Sequence, residues 1–495
     1  MAELIPAQVQ DFLKLFQRHI NAGNVPAILS LYEVSFPQFT KRFFEAEKWP
    51  HPDAVTELVG EDEVFLILYK ELYYRHIHQA LKPALADRVY AWENYSDLFY
   101  HLLGAKTAQL QLPAQWLWDL IDEFIYQFEG WCQFTEKRDD KTEEELAYLR
   151  ENPTFWNTVT VVGYLQYLQA KSGVDGWLER GGERGLVADA PAKRAEDLAE
   201  GEEADFSGSE TYRMLGYYCI VGQLRLHVLF RDYHLALKVI QPLDLSDAGL
   251  FARLPACHAN LFYFMGFAYF MMRRYTDATA AWTGVLTMTS TGASVTSQDK
   301  QVSRKTDKTL GLLALSLTLC PMRIDDTVHS ALTERFGDRM RKMQDGDQSS
   351  FNELMRKYSP PRISPSPPTY AGPATSTATD VLLRCFMKEV QQHEMLPSVR
   401  SYIKLYKSVE ISKLAQFAEM TTEEFRRELL CLKHKSLMRQ RQGGAAASGK
   451  MDSAGESDFY IDEKDVVHFT SEEAIRHHAD FFLSTSARLR SVANA

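Results

Sequence analysis

The sequence predicts a mainly α-helical chain: an array of helical hairpins that runs into a small module of short helices plus a β-hairpin, closed by a last helix. Three observations carry this. Apolar residues recur at spacings of three and four through the first two thirds of the chain, and long alternating runs are missing. Two helix–corner–helix stretches repeat the same residues at a fixed offset. Near the C-terminal end, two β-prone runs flank a polar turn.

Residues 1–172 read as an N-terminal helical region. Val9, Phe12, Leu13, Phe16 and Ile20 form one helical stripe, which Asn21-Ala22-Gly23-Asn24-Val25-Pro26 then punctuates. A helix through Ile28, Leu31 and Tyr32 follows, and Asp62–Leu81, Ala114–Phe128 and Pro153–Ala170 continue the pattern with aromatics on their apolar faces. Residues 173–210 read as an acidic linker. Glu179–Glu210 holds ten acids and four bases with few large apolar groups, too little burial to offset the entropy of ordering it.

Residues 211–358 read as helical repeats of the tetratricopeptide type. Arg231, Tyr233 and Ala236 return 42 residues later as Arg273, Tyr275 and Ala278. The second copy fits the template through Phe262, Met265, Gly266, Tyr269, Ala278 and Trp282. In that pattern Gly266 and Ala278 let two antiparallel helices approach, while Tyr269, Tyr275 and Trp282 fill the groove between units. Leu310–Cys320 and Asp326–Phe336 supply further helices. Residues 359–379, rich in Pro, Ser and Thr, read as an extended connector, in which Ser364 and Ser366 each precede a proline.

Residues 380–470 read as a winged-helix module. Val381–Gln391, Ser398–Tyr406 and Ile411–Ala418 are helical in pattern. Thr421-Thr422-Glu423-Glu424 is a capping box, opening a helix with Phe425, Leu429 and Leu432 on one stripe and Arg426, Arg427, Lys433 and Lys435 mostly off it. Gly443–Ser457, rich in Gly, Ala and Ser, reads as a flexible insert. Phe459–Ile461 and Val466–Phe469 then form the hairpin. Residues 471–495 read as a C-terminal helix and tail, with Ile475, Phe481, Phe482 and Leu489 on its apolar face.

A repeat array followed by a winged helix resembles the PCI-domain layout, and the PCI region is expected to start near residue 250. Longer strings carry a closer resemblance: Asn21–Pro26 with Leu31-Tyr32-Glu33, Gly266–Tyr269 with Met272–Tyr275, Cys320–Asp325, Phe425–Leu430 with Lys433-His434-Lys435, and Asp458–Asp462. From about residue 10 to 485, these resemble the L-subunit family of eukaryotic translation initiation factor 3. The resemblance implies a non-catalytic scaffold subunit in the cytoplasm. Its implied partners are the other subunits of that factor, the K subunit most directly, and the small ribosomal subunit. It also implies support for recruitment of messenger RNA and initiator tRNA. The expected subunit interface is the hairpin, through Phe459, Tyr460, Ile461, Val467 and Phe469, by strand-edge pairing. PCI scaffolds of the proteasome lid or the signalosome share the layout but not the strings.

The chemistry that is missing points the same way. Net charge is −11, so the chain is not coated for nucleic acid. Arg400–Arg441 nevertheless holds ten bases and five Glu. That local excess makes direct contact with ribosomal or messenger RNA through Arg426, Arg427, Lys433 and Lys435 the alternative reading, as a sequence-independent RNA-binding module. Its aromatic interleaving is too poor for single-strand stacking. The six cysteines are scattered, in keeping with reduced thiols. Leu261–Met272 and Leu310–Cys320 fall short of the roughly 20 residues that span a bilayer, and no membrane association is expected. Gly444–Lys450 spells GxxxxGK, but Met451 replaces the Mg²⁺-binding Ser or Thr and no strand is expected before it. His76-x-His78 and Cys257-His258 lack partners at ligand or catalytic spacing. No catalytic residue, metal or cofactor is expected.

Overall fold

The computed structural model describes residues 5–104, 110–137, 141–181, 206–245, 254–290, 297–365, 378–393, 406–441, 446–453 and 457–471, with 482, 485 and 486. The chain divides into two compact units. One comprises Met1–Met265, Gly292–Thr306 and Pro360–Asp380; the other comprises Gly266–Thr291, Asp307–Ser359 and Val381–Ala495.

The first unit is helical: α1 (Ala7–Asn21), α2 (Val25–Ser30), α3 (Phe36–Phe43), α4 (Pro52–Val59), α5 (Glu63–Ala80), α6 (Leu85–Gly104), α7 (Ala114–Glu136), α8 (Glu143–Glu151), α9 (Thr158–Ser172), α10 (Val174–Glu179), α11 (Glu210–Phe230) and α12 (Tyr233–Val239). The stripe of α1 is its buried face. Its end is a left-handed corner at Gly23, φ 63°. There the Asn24 N–H donates to the His19 carbonyl at 3.1 Å and the Gly23 N–H to the Ile20 carbonyl at 3.0 Å, a backbone that glycine adopts without a Cβ penalty. Asn24 then caps α2, accepting from the Ala27 N–H at 3.3 Å. The punctuation at Asn21–Pro26 is thus a C-cap running directly into an N-cap.

Aromatic packing and α11 make the core of this unit. Phe16 and Tyr32 both stack on Trp116 of α7, with centroids 5.4 and 4.9 Å away. Helix α11 carries apolar residues on every side, and it is buried from Tyr212 to Leu229, with Arg213, Gln223, Arg225 and His227 enclosed among them. It lies against α7 and α9. The approach to α7 is so close that a Cβ on Gly222 would stand 2.9 Å from Ile125 Cδ1. The acidic-linker expectation falls largely on residues outside the described ones. At its start, however, α10 buries Val174, Trp177 and Leu178, because three apolar side chains in one turn and a half suffice to dock a short helix.

A polar network is sealed among the helical turn Leu31–Ser35 after α2, α5 and α7. Glu71 accepts from Arg75 Nε at 2.9 Å, Arg75 Nη2 at 2.6 Å and Trp116 Nε1 at 3.2 Å. Arg75 also donates to the Tyr32 hydroxyl, which donates to Asp119 at 2.5 Å. Glu123 accepts from Gln79 at 2.8 Å and Gln127 at 3.1 Å. Burial pushes the Asp119 carboxyl up to about 6 and the Glu123 carboxyl up to about 7. The folded state therefore keeps the Glu123 proton where the unfolded chain has lost it. That contribution to stability is full below about pH 4.5 and disappears as pH rises through 7. Glu123→Gln, which mimics the protonated acid once a neighbouring amide flips, is expected to match the parent near pH 5. Near pH 8 it should be more stable by about 1–3 kcal/mol. Urea midpoints of both proteins at the two pH values check this; an equal difference at both would refute it.

The second unit takes in the end of α13 (Pro255–Met271), then α14 (Tyr275–Ser290), most of α15 (Ser297–Leu319), α16 (Asp326–Gln344), α17 (Gln348–Tyr358) and α18 (Ala378–His393). A Cβ on Gly266 would overlap the Trp282 indole, 2.6 Å from its Cδ1. Tyr275, Ala278 and Trp282 are buried. The corner between α13 and α14 repeats the corner between α11 and α12. Arg273 (φ 61°) and Arg231 (φ 70°) are both left-handed. The Arg274 N–H donates to the Tyr269 carbonyl at 2.9 Å as the Asp232 N–H does to His227 at 2.9 Å. Two arginines held where L-residues cost about 1–2 kcal/mol mark the same structural device used twice.

The C-terminal module has β1 (Ser408–Glu410), α19 (Ile411–Phe417), α20 (Thr422–Ser436), β2 (Leu437–Gln440), β3 (Lys450–Ser453), β4 (Ser457–Ile461) and β5 (Val466–Ser471). One antiparallel sheet has the order β1-β5-β4, and β2 pairs with β3 separately. The core under the first sheet is Ile411, Leu414, Ala415, Phe425, Leu429, Leu432, Phe459 and Val467. The Thr421 capping box forms, with the Glu424 N–H donating to Thr421 Oγ1 at 3.3 Å and the Thr421 N–H to Glu424 Oε2 at 3.2 Å. The insert at Gly443–Ser457 is not loop throughout. Lys450–Ser453 pairs in register with Leu437–Gln440, where buried Met438 gives the ribbon an inner face. The expected helix at Ser398–Tyr406 and the C-terminal helix lie almost wholly outside the described residues.

Candidate functional site

Strand β4 has β5 on one side, Phe459 opposite Phe469 and Tyr460 opposite His468. Among the described residues nothing pairs its other edge. Successive strand residues face opposite ways, so the five hairpin residues separate. Phe459 (5% exposed) and Val467 (0%) are core residues, and Ile461 packs against that core. Their side chains pack inside the module. Tyr460 is 58% exposed and stacks on His468 with centroids 5.0 Å apart. The Phe469 side chain lies outside the described ones. Of the set, Tyr460 and the open backbone edge of β4 are the surface.

The basic quartet separates as well. Arg427 is exposed, and Arg426 pairs at the surface with Asp465 at 2.9 Å. Lys433 turns back over the Phe459 ring and donates to the Phe459 carbonyl at 2.7 Å. Lys435 is buried and donates to Glu389 at 2.8 Å. A buried, paired ammonium cannot meet a phosphate. Lys435 therefore serves as a tether, and the expected basic face is reduced to its arginine end.

That tether belongs to an anchoring node. Glu389 of α18 faces two cationic groups, Lys435 and Arg273 at 3.2 Å, and the imidazole of His393 at 3.0 Å. Burial pushes this carboxyl up. The His393 and Lys435 hydrogen bonds, with the Lys435 and Arg273 charges, outweigh burial and hold it down at about 2. Beside it Arg274, 1% exposed, donates to Asp277 at 2.7 Å and to the Ser448 carbonyl at 2.9 Å. It also contacts the Ala446 and Ala447 carbonyls at 3.4 Å each. The Tyr269 hydroxyl donates to the Ala446 carbonyl at 2.9 Å, and the Arg441 N–H to Asp277 at 3.0 Å. The alanine/glycine loop thus turns carbonyls toward a cation. A phosphate loop turns N–H groups inward, so Ala446–Ser448 of the GxxxxGK string is opposite in polarity to one.

Periodicity does not predict Arg274, Asp277 or Glu389 as anchors. One signal was present. In the first repeat copy the place after the left-handed arginine is Asp232, which caps α12 by accepting from the Leu235 N–H at 3.1 Å. In the second copy Arg274 stands there, a residue whose side chain accepts no hydrogen bond and so cannot cap the helix.

The remaining reactive side chains are turned elsewhere. His76 Nε2 meets the Glu47 carbonyl and His78 Nδ1 the Tyr74 carbonyl, each at 2.9 Å. Burial raises the Cys257 thiol well above its ordinary value, the reverse of activation. Among the described residues no group of three His, Cys, Asp or Glu is placed to hold a metal. None of the described helices is long and apolar enough to cross a membrane.

Comparison with known proteins gives two findings. A family model described as RNA polymerase I-associated factor PAF67 matches residues 87–489. The chain is also similar over most of its length to proteins named eukaryotic translation initiation factor 3 subunit L. That of Nematostella vectensis is 38% identical over 488 residues, covering 97% of this chain and 90% of that protein. Those of Danio rerio and Homo sapiens are each 39% identical over 467 residues, covering 92% of this chain and 78% and 80% of theirs.

Proposed function

Since the chain belongs to the eukaryotic translation initiation factor 3 subunit L family, we propose that it is a non-catalytic scaffold of that factor which docks through its winged-helix sheet. The observation that carries this reading is the open β4 edge with Tyr460 exposed beside it. An unpaired strand edge is a template for another strand, and a neighbouring PCI subunit supplies one. The K subunit is the proposed direct neighbour. The helical repeats offer further contact surface, and the assembly on the small ribosomal subunit in the cytoplasm supports recruitment of messenger RNA and initiator tRNA. An RNA contact on this module would rest on Arg426 and Arg427.

Tyr460→Asp places a charge on the outer face without touching the core. It is expected to lower recovery of the other subunits in co-purification at least tenfold, with the melting temperature of the isolated chain unchanged. Full recovery would remove β4 from the interface. Ile461 is unsuited to this test, because it reaches the core.

A further inference from the structure

The connector after α17 lies in an extended, pinned path on the first unit. Ile363 is 2% exposed, and its N–H donates to the Leu229 carbonyl at 3.0 Å, one of the last-turn carbonyls of α11 that have no partner within their helix. Two residues on, the Pro365 carbonyl accepts from the Thr158 hydroxyl at 3.1 Å, at the first position of α9. Between these pins Ser364 is exposed. Pro365 fixes its own φ and removes an N–H donor, and it also restricts Ser364 to extended backbone.

We propose that Ser364 is a phosphate-acceptor site for a proline-directed serine/threonine kinase, opened when Ile363 leaves its seat. The residue types supply the recognition: a solvent-facing hydroxyl, an extended backbone, and a pyrrolidine directly after it. The seat supplies the gate. A kinase cleft grips residues on both sides of its target, so the Ile363 and Pro365 contacts must release before Ser364 can enter. In the transfer the Ser364 Oγ attacks the γ-phosphorus of a kinase-bound nucleoside triphosphate. The Oγ–P bond forms as the bond to the bridging oxygen breaks. Nucleoside diphosphate leaves, and the hydroxyl proton passes to the kinase's base. The product carries about two negative charges in a contact made until then by neutral groups.

The full-length chain, treated with a recombinant proline-directed kinase and Mg-ATP and mapped by mass spectrometry, should carry phosphate on Ser364. Ser364→Ala should abolish that phosphate, and Pro365→Ala should slow its addition at least tenfold. Ile363→Ala should speed it about five- to tenfold. Thr158→Ala, which removes a single hydrogen bond and leaves the fold intact, should speed it about twofold. Absence of phosphate at Ser364, or a rate that neither Ile363→Ala nor Thr158→Ala changes, would overturn the proposal.

Discussion

Arg274→Ala is expected to destabilise the second unit by about 3–5 kcal/mol, the cost of breaking a buried ionic pair from one side. The guanidinium is 1% exposed. It pairs with Asp277 at 2.6 Å, reaches three successive carbonyls of the loop at Ala446–Ser448, and lies over the Tyr269 ring at 4.6 Å. Truncation leaves the Asp277 carboxylate to the Arg441 N–H and empties a large buried volume. Denaturant midpoints give the size of the effect. Trypsin gives its place: cleavage at Arg439, Arg441 and Lys450 should accelerate once the β2–β3 ribbon loses its anchor. Arg274→Lys should recover less than half of the loss, since one ammonium cannot reproduce a planar fork that serves a carboxylate and a loop together. A loss below about 1 kcal/mol would show that the loop is held by other contacts.

Glu71→Ala is the second large effect, again about 3–5 kcal/mol, in the first unit. Glu71 is 1% exposed and accepts from Arg75, from Trp116 Nε1 and from the Tyr95 hydroxyl at 3.4 Å. Its loss leaves the buried Arg75 guanidinium facing Asp119 at 3.8 Å, too far for a hydrogen bond. The double variant Glu71→Met, Arg75→Met is expected to recover most of the loss, because two apolar side chains of similar length refill the space without a charge to desolvate. A double-mutant cycle on urea midpoints measures the coupling; additive losses would mean that the two residues act separately.

Local features were legible because they depend on neighbours in sequence. The α1 stripe, the corner at Gly23, the Thr421 capping box and the β4–β5 hairpin each follow from residues a few places apart. So does the repeated corner, since Arg231 and Arg273 carry the same hydrogen bonds as well as the same letters. The side chains that the fold turns elsewhere share a cause. Lys433 and Lys435 looked exposed because the helical stripe runs through Phe425, Leu429 and Leu432, yet each lysine is long enough to bend back to a partner that periodicity does not show. Phe459 and Val467 stand with Tyr460 in the expected interface because they lie on the hairpin whose edge is expected to pair; the period of two sends their side chains inward.

The sequence by itself determined the helical repeats, the winged-helix order, the family and the place where a strand edge is offered. Those depend on periodicity, caps and strings of residues that survive without knowing any long-range contact. Only the tertiary structure decided which charges face water. Lys435 meets Glu389, and Arg274 meets carbonyls more than 170 positions away. Whether a cation serves a phosphate or a buried carboxylate is set by what the fold brings within about 3 Å of it, and no local pattern encodes that distance.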